Sequence, residues 1–209
     1  MSKGTNTGVL QGVRVIDLSR VLAGPFCTML LADMGAEVIK VEEPGRGDDS
    51  RGYPPFLRGA SAYFANLNRN KKSVILDLKK PEAKDILRGL LRTADVLLEN
   101  FKPGTMEKLG FGYEEVKQIN PRLVYACLHG FTEAGPYGGR PAYDDIIQGM
   151  CGLASLVGQT QGAPGYLPTV AADKTCGLVG AIAILAALTR RGATGEGGYV
   201  EVPMFETMV

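Results

Sequence analysis

Gly12–Val41, GVRVIDLSRVLAGPFCTMLLADMGAEVIKV, decides the fold class of this chain. Gly12–Leu18 alternates into an apolar run of strand length. The turn Ser19–Gly24 leads to Pro25, which suits the first position of a helix because its missing N–H has no partner there anyway. Phe26–Met34 carries apolar residues at helical spacing, and Gly35 is placed to end the helix. Glu37–Val41 reads as a second strand. A strand–helix–strand unit of this length joins parallel neighbours.

The same rhythm continues outward. Ser73–Leu78 is a third strand, Pro81 opens an amphipathic helix through Leu91, and Val96–Glu99 is a fourth strand. Short helices follow at Thr105–Leu109 and Tyr113–Ile119, then a fifth strand at Leu123–His129. Tyr143–Gly152 reads as a helix, and Tyr199–Pro203 as the final strand. Glu42–Arg58, Phe131–Pro141 and Gly158–Pro168, rich in Gly and Pro, read as loops. Strands alternating with helices predict an α/β fold with a doubly wound, Rossmann-like parallel sheet.

Composition narrows the function classes. The 209 residues hold 23 Lys+Arg against 22 Asp+Glu, so no global charge invites nucleic acid or an anionic membrane. Apolar content of 45% and charged content of 22% are those of a soluble globular protein. The run Gly177–Leu188 is short and rich in Gly and Ala for a membrane span, and Met1–Gly8 has no apolar signal core, so the expectation is cytoplasmic. Four scattered cysteines without a CxxC pair fit reduced thiols, and a single histidine without clustered ligands argues against zinc.

Thr169–Leu188, TVAADKTCGLVGAIAILAAL, carries the most pointed chemistry. Asp173 stands alone just ahead of a long uncharged run that reads as a helix opening onto a buried body. An acid at such a start accepts backbone N–H bonds and meets the positive end of the helix dipole. Both effects favour an ionised carboxylate, which suits either a helix cap or a nucleophile.

Arg69, Lys71, Lys72, Lys79 and Lys80 gather around the third strand, with Lys102 and Lys108 after the fourth. Strand ends and helix starts of an open α/β sheet hold anionic ligands, so these cations are either a phosphate site or a solvated basic face. The G-x-G-x-x-G fingerprint is missing after the first strand, and Asp33 is too near to serve as the ribose acid, which argues against NAD or flavin. His129 has no G-x-S-x-G serine to serve and reads as structural.

Taken together, Val15-Ile16-Asp17 with Ala23-Gly24-Pro25, then LADMGAEVIKV at Leu31–Val41, form an ordered set of motifs. Gly47-Asp48, Arg51-Gly52, NKKSVILDL at Asn70–Leu78 and ADVLLENFKPG at Ala94–Gly104 continue it. Asn120–Leu123, Tyr143–Gln148 and Ala171–Leu188 complete it. In this order they resemble the N-terminal half of the family III CoA-transferases, the formyl-CoA:oxalate and carnitine CoA-transferase group. The resemblance implies that residues 1–209 are the N-terminal portion of the large, CoA-binding domain.

The resemblance further implies that Asp173 attacks an acyl-CoA carbonyl, giving an aspartyl anhydride and then an aspartyl-CoA thioester, from which an acceptor carboxylic acid takes the CoA. Coenzyme A would enter as substrate thioester, with no metal, NAD or flavin. By motif position the CoA contacts fall on Leu76, Lys79, Asn100, Phe101 and Lys108, and the active-site tyrosine on Tyr143. A glutamine that assists catalysis in formyl-CoA transferases is replaced by Leu22, and a CoA-binding arginine falls near Glu43, beside Arg46 and Arg51. Related 2-methylacyl-CoA racemases carry a histidine at the position of Tyr143, so a racemase is the second enzyme reading and a non-catalytic CoA-binding fragment a third. Family members are longer, and two subunits interlock, which implies a homodimer and a large apolar patch on residues 1–209 alone.

Overall fold

The computed structural model describes residues 8–209. The signal-peptide reading of the first residues therefore falls, but for Gly8, outside the described residues. Six parallel strands form one sheet: β1 (Arg14–Asp17), β2 (Glu37–Glu42), β5 (Lys71–Ile75), β6 (Val96–Glu99), β7 (Val124–His129) and β8 (Gly198–Pro203). Their order is β5-β2-β1-β6-β7-β8. The chain walks outward from β1 to β5, then returns beside β1 and walks the other way, so the order reverses between β1 and β6. Ligands of such sheets settle in that crevice, outside the carboxyl ends of the strands.

Helices cover both faces. α1 (Ala23–Asp33) and α8 (Ala171–Thr194) lie on one face, and α3 (Pro81–Leu91) and α5 (Tyr113–Ile119) on the other. Successive strand residues serve opposite cores: Val15, Leu98, Val124 and Ala126 pack towards α1 and α8, while Ile16, Leu97, Tyr125 and Cys127 pack towards α3 and α5. The period of two explains why these strands read as continuous apolar runs.

The bounds of α3, β6, α4 (Thr105–Leu109) and α5 are those the sequence predicts. Elsewhere there are corrections. α1 begins at Ala23, so Pro25 is its third residue rather than its first. The third strand is displaced towards Lys71 and ends at Ile75. The stretch read as a loop after β2 contains a 3-10 turn at Asp49–Gly52 and the start of a small hairpin. That hairpin, β3 (Phe56–Leu57) and β4 (Ala60–Ser61), leads into α2 (Ala62–Leu67). Beyond β7, the single expected helix is two, α6 (Asp144–Met150) and α7 (Leu153–Gln161), broken where Gly152 takes φ 85°. After β8 the chain turns into α9 (Met204–Met208).

By length and composition α8 could cross a membrane, contrary to the shorter run read from the sequence. It packs as a core helix along one edge: Ala172, Cys176, Gly177, Gly180, Ala181 and Ile184 are buried. Glycine is required at one of these positions. A Cβ on Gly177 would lie 2.7 Å from the Ala23 carbonyl oxygen and 2.9 Å from Phe26 Cδ1, so α8 closes on the first turn of α1 only through a bare Cα.

Candidate active site

Two helix starts converge on Asp173. It is the third residue of α8, whose N-cap is Val170, so Asp173 is not the cap that the sequence allows. The backbone N–H of Ala23, first residue of α1, faces its carboxylate and favours the ionised form. Its own N–H donates to Asp144 Oδ1 at 3.0 Å. Asp144 is buried, and its other oxygen accepts Gln148 Nε2 at 2.5 Å.

This setting corrects the expectation that the helix start keeps Asp173 readily ionised. Burial, with the Asp144 charge second, pushes its carboxyl up to about 6, and the Ala23 N–H offsets only part of that. Desolvation outweighs the dipole because the carboxylate sits among protein groups rather than at an open helix end.

Three depressions run along the carboxyl ends of the strands. The first, about 220 Å³, is walled by Leu18, Lys40, Val41, Leu76, Lys79, Phe101 and Leu109. The second, about 350 Å³, shares Arg20, Phe101 and Thr105 with it and continues past Asn100 and His129 to Tyr143 and Asp173. The third, about 450 Å³, opens on the far side of Asp173, with Tyr53, Tyr63, Tyr143 and Tyr166 around it. Asp173 therefore stands where a long cleft meets a tyrosine-lined one.

The residues singled out from the sequence distribute unevenly over this surface. Leu76, Lys79 and Phe101 wall the first depression, and Arg20 lays its guanidinium 4.9 Å from the centre of the Phe101 ring. Tyr143 lies 73% exposed where the second and third depressions meet. Asn100 lines the second, but its amide is committed to main chain: Oδ1 accepts Arg20 N–H at 2.8 Å and Nδ2 donates to the Arg20 carbonyl at 2.8 Å. Lys108 is exposed on α4, one helical turn from the wall residue Thr105.

The basic cluster does not survive as one site. Arg69 pairs with Asp33, Lys72 with Glu37 at 2.5 Å, and buried Lys71 with Asp17 at 3.0 Å, towards the end of β5 away from Lys79. Burial opposes ionising Asp17, but Lys71 and Lys40, with hydrogen bonds from Ser19 and Thr28, hold its carboxyl well below the usual range. Nor is the reading of unclustered metal-ligand types right. Glu99, Cys127 and His129, and likewise His129, Glu133 and Glu201, each bring donor atoms within 4.8 Å of one another. Their sequence separation hid this, because three adjacent strands and the loop after β7 supply them. His129 Nε2 lies 3.2 Å from Glu99 Oε1, and Nδ1 lies 3.3 Å from Glu133 Oε1.

Sequence reasoning passed over Asp144, Tyr63, Lys40 and Asp48 as site residues, and the backbone of Val21. Asp144 had a visible signal, an acid directly beside the singled-out Tyr143. The others depend on contacts distant in the chain.

A family model described as CoA-transferase family III matches residues 10–209. The chain belongs to that family. Among its relatives are the acetyl-CoA:oxalate CoA-transferase of Acetobacter aceti and the succinyl-CoA:glutarate CoA-transferase of Mus musculus. The first is 45% identical over 95% of this chain and 51% of its own length, the second 42% over 96% and 46%. A CAIB/BAIF family protein from Brucella suis has the same fold, with a TM-score of 0.92 at 41% identity over 96% of this chain and 54% of that one. Rv3272 from M. tuberculosis gives 0.91 at 40% identity over 98% and 57%. This family III chain spans about half the length of the curated relatives it matches.

Proposed function

We propose that this chain carries the CoA-binding surface and the nucleophile of an enzyme that moves CoA from an acyl-CoA thioester to a carboxylic acid. The observation that carries the reading is the placement of Asp173 at the meeting of the long cleft and the tyrosine-lined cleft. A thioester lying there would have CoA on one side of the carboxylate and its acyl group on the other.

In this reading a carboxylate oxygen of Asp173 attacks the thioester carbonyl, the C–S bond breaks, and CoA leaves as thiolate. The thiolate attacks the aspartyl carbonyl of the anhydride, releasing the first acid and leaving an aspartyl-CoA thioester. The acceptor carboxylate attacks that thioester and expels the thiolate, which then takes the acceptor acyl group and frees Asp173. Each bond broken is replaced by one of similar energy, so the sequence balances without ATP. A carboxylate whose proton affinity has been raised by burial is a stronger nucleophile than one in water, and it is still ionised above pH about 6.

Lys79 and Lys108 would meet CoA phosphates, Leu76 and Phe101 would pack against its apolar parts, Asn100 would shape the turn beneath it, and Tyr143 would flank the reacting carbonyl. A racemase would require a base free to face the substrate α-carbon, whereas both nitrogens of His129 face carboxylates. We take the cytoplasm as the compartment, which the free cysteines support, and a homodimer as the working form, which exposed Leu178 and Ile182 on α8 support.

The test is incubation with acyl-CoA, a hydroxylamine quench and peptide mass spectrometry. A hydroxamate on Asp173, missing from Asp173→Ala, is the expected result. An adduct mapped to another residue rejects the assignment.

A further inference from the structure

The turn between β1 and α1 is claimed residue by residue by side chains from elsewhere. Lys40 Nζ donates to the Ser19 carbonyl at 2.8 Å, and the Asn100 amide holds both sides of Arg20. The Val21 N–H donates to Asp48 Oδ1 at 3.2 Å. Lys40 and Asp48 are themselves an ion pair at 2.8 Å, with side chains 1% and 0% exposed.

What this grip holds is unusual. Val21 has φ 69°, a left-handed conformation that penalises a β-branched side chain, and which a glycine would adopt freely. Such strain persists only where the surroundings over-determine it, and it concentrates at functional sites. The next residue, Leu22, is the N-cap of α1, and the one after it is Ala23, whose N–H faces Asp173. Val21 itself borders both clefts that flank Asp173. An ion pair as buried as Lys40–Asp48 is a poor way merely to fill space, since apolar residues of the same volume do so at least as well.

We propose that Asp48, backed by Lys40, is a positioning residue that holds Val21 in its left-handed conformation and thereby aims the Ala23 N–H at the Asp173 carboxylate. The inference rests on Asp173 being the reacting group. Asp48 acts through the main chain, two residues away from the N–H it directs.

The test follows the Asp173 carboxyl by carbon NMR as pH is varied, in three forms of this chain. Wild type should titrate at about 6. Lys40→Met/Asp48→Leu removes both charges together, so neither is left buried alone, and should raise the midpoint by about one pH unit because the ionised form loses a donor. Adding Val21→Gly removes the strain that the pair opposes and should return the midpoint to the wild-type value. Hydroxamate formation should fall about tenfold or more in the double variant and recover in the triple, with the acyl-CoA concentration for half-maximal rate unchanged.

If the double variant does not fold, Lys40→Met/Asp48→Ser, whose hydroxyl is too short to reach the Val21 N–H, takes its place with the same expectations. An unmoved midpoint in a folded chain lacking Asp48 overturns the proposal, as does a raised midpoint that Val21→Gly leaves raised. The titration is read whether or not wild type forms an adduct, so a failure of the nucleophile assignment is seen separately.

Discussion

The main-chain N–H of Asp173 donates to Oδ1 of Asp144 at 3.0 Å, so two acids share the start of α8. Asp144 thereby satisfies one of the open N–H groups of the helix, while its charge raises the proton affinity of Asp173.

That raised affinity has a signed consequence for stability. The carboxyl of Asp173 moves from an ordinary 3.8 to about 6 on folding, so the folded chain holds a proton that the unfolded chain has already released. The stability it contributes is present below pH about 4 and lost as pH rises through about 6. Asp173→Asn should therefore be more stable than wild type at pH 8 by on the order of 1–3 kcal/mol, and equal to it at pH about 3.5. Chemical denaturation at the two pH values measures this, and equal gains at both would contradict it.

His129 also holds its proton more tightly in the folded chain, but as the charged rather than the neutral form. Burial works against its protonation, but the Glu99 hydrogen bond and the charges of Glu99, Glu133 and Glu201 outweigh that and raise it above the ordinary histidine value. The stability it adds is complete below pH 6.5 and disappears as pH rises through the higher folded value. As the chain's single histidine, it gives one set of ring signals in proton NMR. Their midpoint should lie above 6.5 and fall in Glu99→Gln, and a wild-type midpoint below 6.5 would refute the assignment.

Gly177 and Gly180 separate two kinds of small-residue contact. A Cβ at 177 meets a backbone carbonyl at 2.7 Å, whereas at 180 it meets Leu128 and Cys27 side-chain atoms at 3.3–3.4 Å. Gly177→Ala should lower stability by about 1–3 kcal/mol through forced separation of α1 and α8. Gly180→Ala should fall within about 1 kcal/mol of wild type, because improved helix propensity offsets the tighter fit. Thermal melting of the two variants decides it, and equal costs would mean that the helices do not meet as described.

The lysines should likewise divide. Lys79→Ala should weaken CoA binding by on the order of 1–2 kcal/mol in titration calorimetry with little effect on melting. Lys71→Ala leaves Asp17 buried without that partner and should cost about 3–5 kcal/mol of stability. A Lys71 variant as stable as wild type, or unaltered CoA affinity without Lys79, would return the basic cluster to a plain surface role.

The parts of the fold legible in the sequence were those written locally. α3 has an apolar stripe and a proline start, and β6 is a short apolar run between polar turns, so their limits could be read to the residue. The hairpin β3–β4 has two residues on each side, too few for a period, and α7 begins beyond a glycine that ordinarily ends a helix. At the site, Asp173 and Tyr143 stood in recognisable surroundings. The roles of Asp48, which lies in a quoted motif, and of Val21 were not legible, because an ion pair with Lys40 and a φ of 69° arise from residues that meet only in the folded chain. The direction of the Asp173 shift was misjudged for the same reason: the window around it displays the helix start but not the burial.

The bare Cα of Gly177 also sets how the two helices of the site are joined. α1 carries the Ala23 N–H and α8 carries Asp173, and their contact leaves no slack for one helix to slide on the other. Donor and carboxylate are thus parts of one packed frame, and in the proposed reaction an opening that admits an acyl-CoA comes from the segments around them. The glycine-rich stretch from Gly130 to Tyr143, which borders the long cleft, is the nearest of these.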